Sequence, residues 1–284
     1  MIGMNRLGTR GRLGNQMFQY ASLVGIAKNM GYEHCIPDHS KATWFDRSEN
    51  GNTVTVYHQL QHLFKLEHLN GRFGEISGYE IDVHQHEFCE DLFTDCPDNA
   101  SLNGHFESYK YFENADDEVR KDYSFKDFIL DTASNFHKKN NINNSVCINV
   151  RRGDFIKFQN CHAVCTENYY FKCIEKLDKD RQYLVVSDDI DWCKTVFLGS
   201  NYIFLDVQNN KIPKAHFDMC VGSLCDDFII SNSTFSWWMS YLGKSKTKKV
   251  FIPDPWFGPS LQHLDTSGYY FPQSIKVNRE VVGV

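Results

Sequence analysis

The chain has 284 residues, 42% hydrophobic and 14% aromatic, and a formal charge of −6 at neutral pH. That is enough apolar material for one large domain or two ordinary ones, and it excludes a disordered chain. The acidic balance argues against broad binding to nucleic acid or anionic membrane, and no window approaches the roughly 18 apolar residues of a membrane span.

Residues 1–12 lack the apolar core of a signal peptide, so the chain as written reads as cytoplasmic; the Golgi lumen is the alternative if an anchor precedes it. The ten cysteines form no Cys-x-x-Cys pair and no disulfide framework, and they read as reduced, half-buried small residues. Cys161-His162 with Cys165 comes nearest to a zinc cluster, but no second pair follows, and no metal is assigned. His84, His86 and Glu87 carry ligand chemistry at strand spacing, where a polar strand face or loop serves equally well. Asn99, Asn143 and Asn232 each begin an Asn-x-Ser/Thr sequon, which matters only in a secretory compartment.

The first distinctive run is Gly11-Arg12-Leu13-Gly14-Asn15-Gln16-Met17-Phe18-Gln19-Tyr20, whose glycines precede a helical pattern reaching residue 30. A turn that opens a helix presents free N–H groups to an anion or a sugar hydroxyl; a cap without a ligand fits the same residues. The glycines are not those of a dinucleotide fold, and no strongly apolar strand precedes them. A short strand is expected at 32–36. Residues 39–100 are polar and weakly periodic, with a helical Leu-rich run at 60–69. Leu102-Asn103-Gly104-His105-Phe106-Glu107-Ser108-Tyr109-Lys110-Tyr111-Phe112 then suggests a strand end running into a loop. There His105, Glu107 and Lys110 can bond a sugar and the aromatics can stack on it, although a packed aromatic corner fits equally.

Residues 140–145 are the clearest linker, so domains are expected at 1–140 and 145–284. Beyond the linker, strands at 146–150, 183–186, 202–205, 228–230 and 250–252 alternate with helices near 168–177, 190–197, 214–220 and 234–242. That alternation predicts a parallel, Rossmann-like sheet. The strand at 146–150 stops at Arg151-Arg152-Gly153-Asp154. Paired guanidiniums at the carboxyl edge of a sheet suit a phosphate, with Asp154 holding one of them in place; a plain ion pair at a strand end is the competing reading. Ser187, Asp188 and Asp189 end the next strand, where they can accept hydrogen bonds from ribose hydroxyls or a base, and 231–236, including Asn232, Ser233, Thr234 and Ser236, open a helix able to cradle phosphate. Together these ends describe a nucleotide-diphosphate site without a Gly-x-x-x-x-Gly-Lys-Ser loop. Asp189-Ile190-Asp191 matches a metal-binding Asp-x-Asp, which is discounted because the arginines already supply positive charge.

Residues 11–21, 104–112, 150–155 and 231–238 resemble, in order and spacing, the motifs of the α-1,2-fucosyltransferases of glycosyltransferase family eleven. The resemblance implies an α/β, GT-B-like architecture of two Rossmann-like domains facing a cleft, the first taking the acceptor and the second GDP-β-L-fucose. It implies inverting, metal-independent transfer to the 2-hydroxyl of a galactose-like sugar, with no cofactor beyond the donor substrate. Arg151, Arg152 and Asp154 stand at the family's donor motif, and Asn149 stands where that motif begins with His. Glu107 stands where Gln is common. On this reading Asn15, Arg151, Arg152, Ser187, Asp188, Asn232, Ser233, Thr234 and Ser236 hold the donor, and His105, Glu107 and Lys110 hold the acceptor. Arg152 stabilises the leaving diphosphate, and Asp154 or Glu107 takes the proton. The alternatives are an α-1,6- or O-linked fucosyltransferase and a non-catalytic protein that binds GDP-fucose or a glycan. Nucleic-acid binding has the least support.

Overall fold

The structure is a computed structural model that describes residues 1–38, 45–49, 52–56, 58–84 and 87–280, with 45–49 and 52–56 described by backbone alone. Of the three candidate ligands at 84–87, His84 is an exposed residue after a strand and His86 lies outside the described residues. The chain forms two compact units, Met1–Lys126 with Ser267–Tyr269, and Asp127–Thr266 with Tyr270–Val284.

The first unit runs β1 (Ile2–Gly3), α1 (Leu13–Met30), β2 (His34–Cys35), the antiparallel hairpin β3 (Phe45–Glu49) and β4 (Asn52–Val56), α2 (Leu60–Leu63), β5 (Tyr79–Val83), α3 (Glu90–Thr94), β6 (Ala100–Gly104) and α4 (Asp116–Asp122). Its four-stranded sheet is parallel, in the order β2-β1-β6-β5. Helix α1 is buried on every side from Leu13 to Ala27 except at Asn15, which makes it the centre of this unit rather than an amphipathic cover. It stops where Gly31 takes a left-handed conformation, φ 68°, and caps the last turn. The Leu-rich run at 60–69 is a single helical turn followed by the 3-10 turn Glu67–Leu69, shorter than its spacing suggests.

The second unit runs α5 (Asp127–Lys139), β7 (Ser145–Val150), α6 (Gln159–His162), α7 (Glu167–Ile174), β8 (Gln182–Ser187), α8 (Ile190–Val196), β9 (Tyr202–Phe204), α9 (Lys214–Ser223), β10 (Asp227–Ile229), α10 (Thr234–Tyr241), β11 (Val250–Asp254) and β12 (Ser274–Asn278). All six strands are parallel, in the order β12-β11-β10-β7-β8-β9. Counted along the chain, that is the doubly wound order 3-2-1-4-5-6, in which the winding reverses between β7 and β10. β7 is buried along its whole length, as befits a central parallel strand, and Asn149 is the polar residue within its otherwise apolar and small run.

The unit boundary departs from the linker at 140–145. Helix α5 packs on α9: the Phe136 ring meets Phe217 edge-on at 6.0 Å, and His137 Nε2 lies 2.8 Å from the Val221 carbonyl. The chain therefore changes unit at Asp127, and Asn140-to-Ser145 is a loop inside the second unit. β12, an edge strand whose residues are mostly exposed, was not anticipated; with one buried side chain it shows no hydrophobic period. Among the described residues no helix is long and apolar enough to cross a membrane.

Candidate active site

The doubly wound order brings the carboxyl ends of β7 and β10 together, and both carry the polar residues singled out in the sequence. After β7, Arg152 is fixed at three points. Its backbone N–H donates to Asp188 Oδ1 at 2.9 Å, its Nε donates to Asp189 Oδ2 at 2.9 Å, and its guanidinium lies 4.0 Å from the centre of the Trp192 ring. The two terminal nitrogens of Arg152 have no partner among the described residues, so its fork is oriented and open. Arg151 is more heavily engaged. It pairs with Asp154, as the sequence suggested, and its Nη1 lies 2.7 Å from Asp188 Oδ2, over the Phe155 ring at 5.2 Å.

Gly153 is required by this crowding. A Cβ there would stand 2.4 Å from Asp188 Oδ2, so only glycine lets that carboxylate approach both arginines. Asp189 caps α8 by accepting the Trp192 N–H at 3.3 Å and braces Arg152 with its other oxygen. Ser187 Oγ accepts the Asp189 N–H at 2.9 Å. Ser187, Asp188 and Asp189 thus hold the arginines and their loop first, where the sequence had suggested ribose or base.

The β10 end is packed more tightly than a bare phosphate cradle. Ser236 is fully buried, and its hydroxyl donates to the Ser231 and Ser233 carbonyls, each at 2.9 Å. Asn149 is 5% exposed and accepts from Ser231 Oγ at 3.4 Å, joining β7 to the turn after β10. Asn232 is also buried; its Oδ1 accepts weakly from Cys165 Sγ at 3.7 Å, and its Nδ2 is a buried donor with no partner among the described residues. Ser233 precedes α10 as its cap residue, and Thr234 begins the helix.

In the first unit, within 104–112, Glu107 is 7% exposed and is met by residues distant in sequence. Its Oε1 accepts from Asn15 Nδ2 and lies 3.6 Å from His105 Nδ1, while Oε2 accepts from the Tyr269 hydroxyl at 2.6 Å. Burial, with Glu107 beside it, raises the Tyr269 phenol well above its ordinary range, so Tyr269 stays a proton donor to the carboxylate. Gln19, buried on α1, ties the region together by donating to the carbonyls of Arg10 at 2.9 Å and Gly104 at 3.0 Å. Asn15 lies inside the first turn of α1 and donates to Glu107 within this unit. Lys110 donates to Ser267 Oγ at 2.9 Å.

Trp192 and Tyr269 were missed in the sequence. An Asp followed three residues later by a helical Trp carries a cap signal that locates Trp192. Tyr269 reaches Glu107 from 162 positions away, and no local pattern reports that. Of the three residues that came nearest to a zinc cluster in the sequence, His162 stacks on Phe155 and Cys165 is a buried residue beside Asn232. Among the described residues no three His, Cys, Asp or Glu side chains are arranged to hold a metal.

Residues 1–257 match the family model described as Glycosyl transferase family 11. The chain is 26% identical to an α-1,2-colitosyltransferase of Escherichia coli, over 87% of this chain and 90% of that one. It is 24% identical to galactoside alpha-(1,2)-fucosyltransferase 2 of Bos taurus, over 97% of this chain and 79% of that one. Among solved structures, POFUT1 in complex with GDP-fucose has a similar fold, with a TM-score of 0.56 at 12% identity over 88% of this chain and 97% of that one.

Proposed function

Because the chain belongs to glycosyl transferase family 11, we propose that this glycosyltransferase moves L-fucose from GDP-β-L-fucose to the 2-hydroxyl of a galactose-like acceptor, with inversion and without a metal. The second unit takes the donor and the first the acceptor. The observation that carries this reading is Arg152, held through Nε, its backbone and its π face with both terminal nitrogens open. A buttressed guanidinium fork at the switch point of a doubly wound sheet suits a diphosphate.

The chemistry follows from the charge that develops. As the fucosyl carbon leaves GDP, positive charge grows on the sugar and negative charge on the β-phosphate. Arg152, with Arg151 beside it, stabilises the leaving group before any nucleophile has bonded. Charge-assisted hydrogen bonds of this kind contribute about 1.5–3 kcal/mol each, and loss of one preorganised donor costs ~10²–10³ in rate. Asn232 Nδ2, a buried donor without a partner, adds to the same side of the site. Inversion requires the acceptor hydroxyl to attack opposite the diphosphate and to lose its proton. The candidate bases are Glu107, whose two oxygens already accept from Asn15 and the Tyr269 hydroxyl, and Asp154, which pairs with Arg151 and is 45% exposed; Glu107 lies in the unit assigned to the acceptor and is the one tested below. A cytosolic setting fits ten cysteines that are all free, and the Asn232 sequon is buried.

A second reading, colitosyl transfer with the same linkage, is favoured by the colitosyltransferase relative. Mass spectrometry of reactions containing GDP-fucose, a panel of β-galactosides and excess EDTA tests the proposal. A product heavier than the acceptor by one fucosyl residue, formed in EDTA and reduced ~10²–10³ by Arg152→Ala, is expected. Bound GDP-fucose with no product from any acceptor would remove the transferase reading. A product that needs added metal would remove the metal-free mechanism.

A further inference from the structure

We infer that Arg279 is a positioning residue for the paired arginines, an inference that rests on the donor reading above. Arg279 follows directly on β12, lies beyond the family match at 1–257, and is 1% exposed. It has no carboxylate partner among the described residues. Its guanidinium donates to three main-chain carbonyls, those of Ala163, of Trp256 at 3.2 Å and of Phe257 at 3.1 Å. Holding the segment after β12 in place does not need such a group, since an apolar residue fills that role at less desolvation cost. What the fork does is join two loops at the carboxyl edge of the sheet.

One of those loops is the continuation of Arg-Arg-Gly-Asp. Its far end, residues 159–163, is pinned to residues 256–260 by Arg279, by the Gly258 N–H donating to the Cys161 carbonyl at 2.8 Å, and by Ser260 Oγ donating to the Asn160 carbonyl at 2.7 Å. From there the coupling passes through rings. His162 stacks on Phe155, 4.8 Å between centres and 17° from parallel, and the opposite end of that stack lies against the Arg151 guanidinium. Phe257 meets His162 at 6.3 Å and closes the seam. Arg279 thus fixes the ring on which Arg151 rests, without touching the ligand itself. Released from the clamp, the Phe155–His162 stack loses its backing, and Arg151 loses its orientation toward the diphosphate.

Titration calorimetry of the full chain with GDP tests this, comparing wild type with Arg279→Lys, Phe155→Leu and the double variant. Arg279→Lys and Phe155→Leu are each expected to raise the Kd about tenfold, roughly 1.4 kcal/mol. The double variant should be no weaker than the worse single one, because both act through one stack. Ser260→Ala, at an exposed hydroxyl, is expected to raise Kd about threefold, roughly 0.7 kcal/mol, and keeps the test open if Arg279→Lys does not fold. Gly258→Ala leaves Arg279 intact but places a Cβ 2.4 Å from the Gln159 carbonyl oxygen, and should reproduce the Arg279 loss. Variants that melt earlier yet bind GDP as tightly as wild type would overturn the inference, as would additive losses in the double variant. Wild type that binds no GDP would remove the donor reading, and this inference with it.

Discussion

Arg152 and Glu107 carry opposite charges in different units, and each is held in one orientation by several donors or acceptors. For Glu107 the holders are Asn15 Nδ2 and the Tyr269 hydroxyl, one on each oxygen of the buried carboxylate, with His105 Nδ1 near by at 3.6 Å. Glu107→Gln keeps the volume and removes the base. Turnover is expected to fall ~10²–10⁴ with GDP affinity unchanged, measured by steady-state rates beside calorimetry. A rate within threefold of wild type would leave proton removal to another group or to solvent. A different kind of burial governs Asp218, on the inward side of α9, whose carboxyl is pushed up to about 6 by desolvation and only partly relieved by Lys214. Between the ordinary carboxyl range and about 6, the unfolded chain releases a proton that the folded chain keeps. Stability therefore falls as pH rises through that window and stays lower above it. Asp218→Asn should raise the melting temperature at pH 8, by on the order of 2 kcal/mol of stability, and do far less at pH 4. Equal shifts at both pH values would contradict this. The types of most such residues were legible in the sequence, but their pairings were not. Arg151, Arg152 and Asp154 announce a cationic strand end, yet nothing local says that Asp188 and Asp189 serve the arginines rather than a ribose.

At the scale of elements, α1 decides where the Glu107 loop sits. Gly25 is the point of closest approach: a Cβ there would lie 1.9 Å from the Tyr111 carbonyl oxygen and 2.7 Å from the Phe112 Cα. Both obstacles are main chain and cannot swing aside. Gly25→Ala is expected to cost about 3 kcal/mol, read by urea denaturation, with the 109–112 turn displaced. A loss below 1 kcal/mol would mean that helix and turn separate easily. The strands of the second unit were the most legible, because β7, β8 and β10 are short, mostly apolar runs stopped by charge or Ser-Asn. α1 was legible from its helical pattern after the glycine turn and from Gly31 closing it. What failed were elements defined by partners. β12 forms by pairing with β11 over Ser274–Asn278, and α5 is assigned by its packing on α9.

For the whole molecule, the sheet order matters more than any single motif. The order 3-2-1-4-5-6 brings Arg151, Arg152, Asn149 and Asn232 to one edge from positions up to 83 apart, and alternation of strand and helix foretold a parallel sheet but not this order. The segment Ser267–Tyr269 returns to the first unit after the second has been built, so the domain division could not be read as one linker. The fold is similar to that of POFUT1 solved with GDP-fucose, and a fold does not by itself fix where a sugar is attached. Linkage is therefore the direct test of the central claim. The product formed from GDP-fucose and a β-galactoside should be purified and its glycosidic linkage assigned by two-dimensional NMR. The account predicts a single α-fucosyl residue whose anomeric proton correlates with C2 of the galactose; fucose on any other oxygen, or with the β configuration, would contradict it.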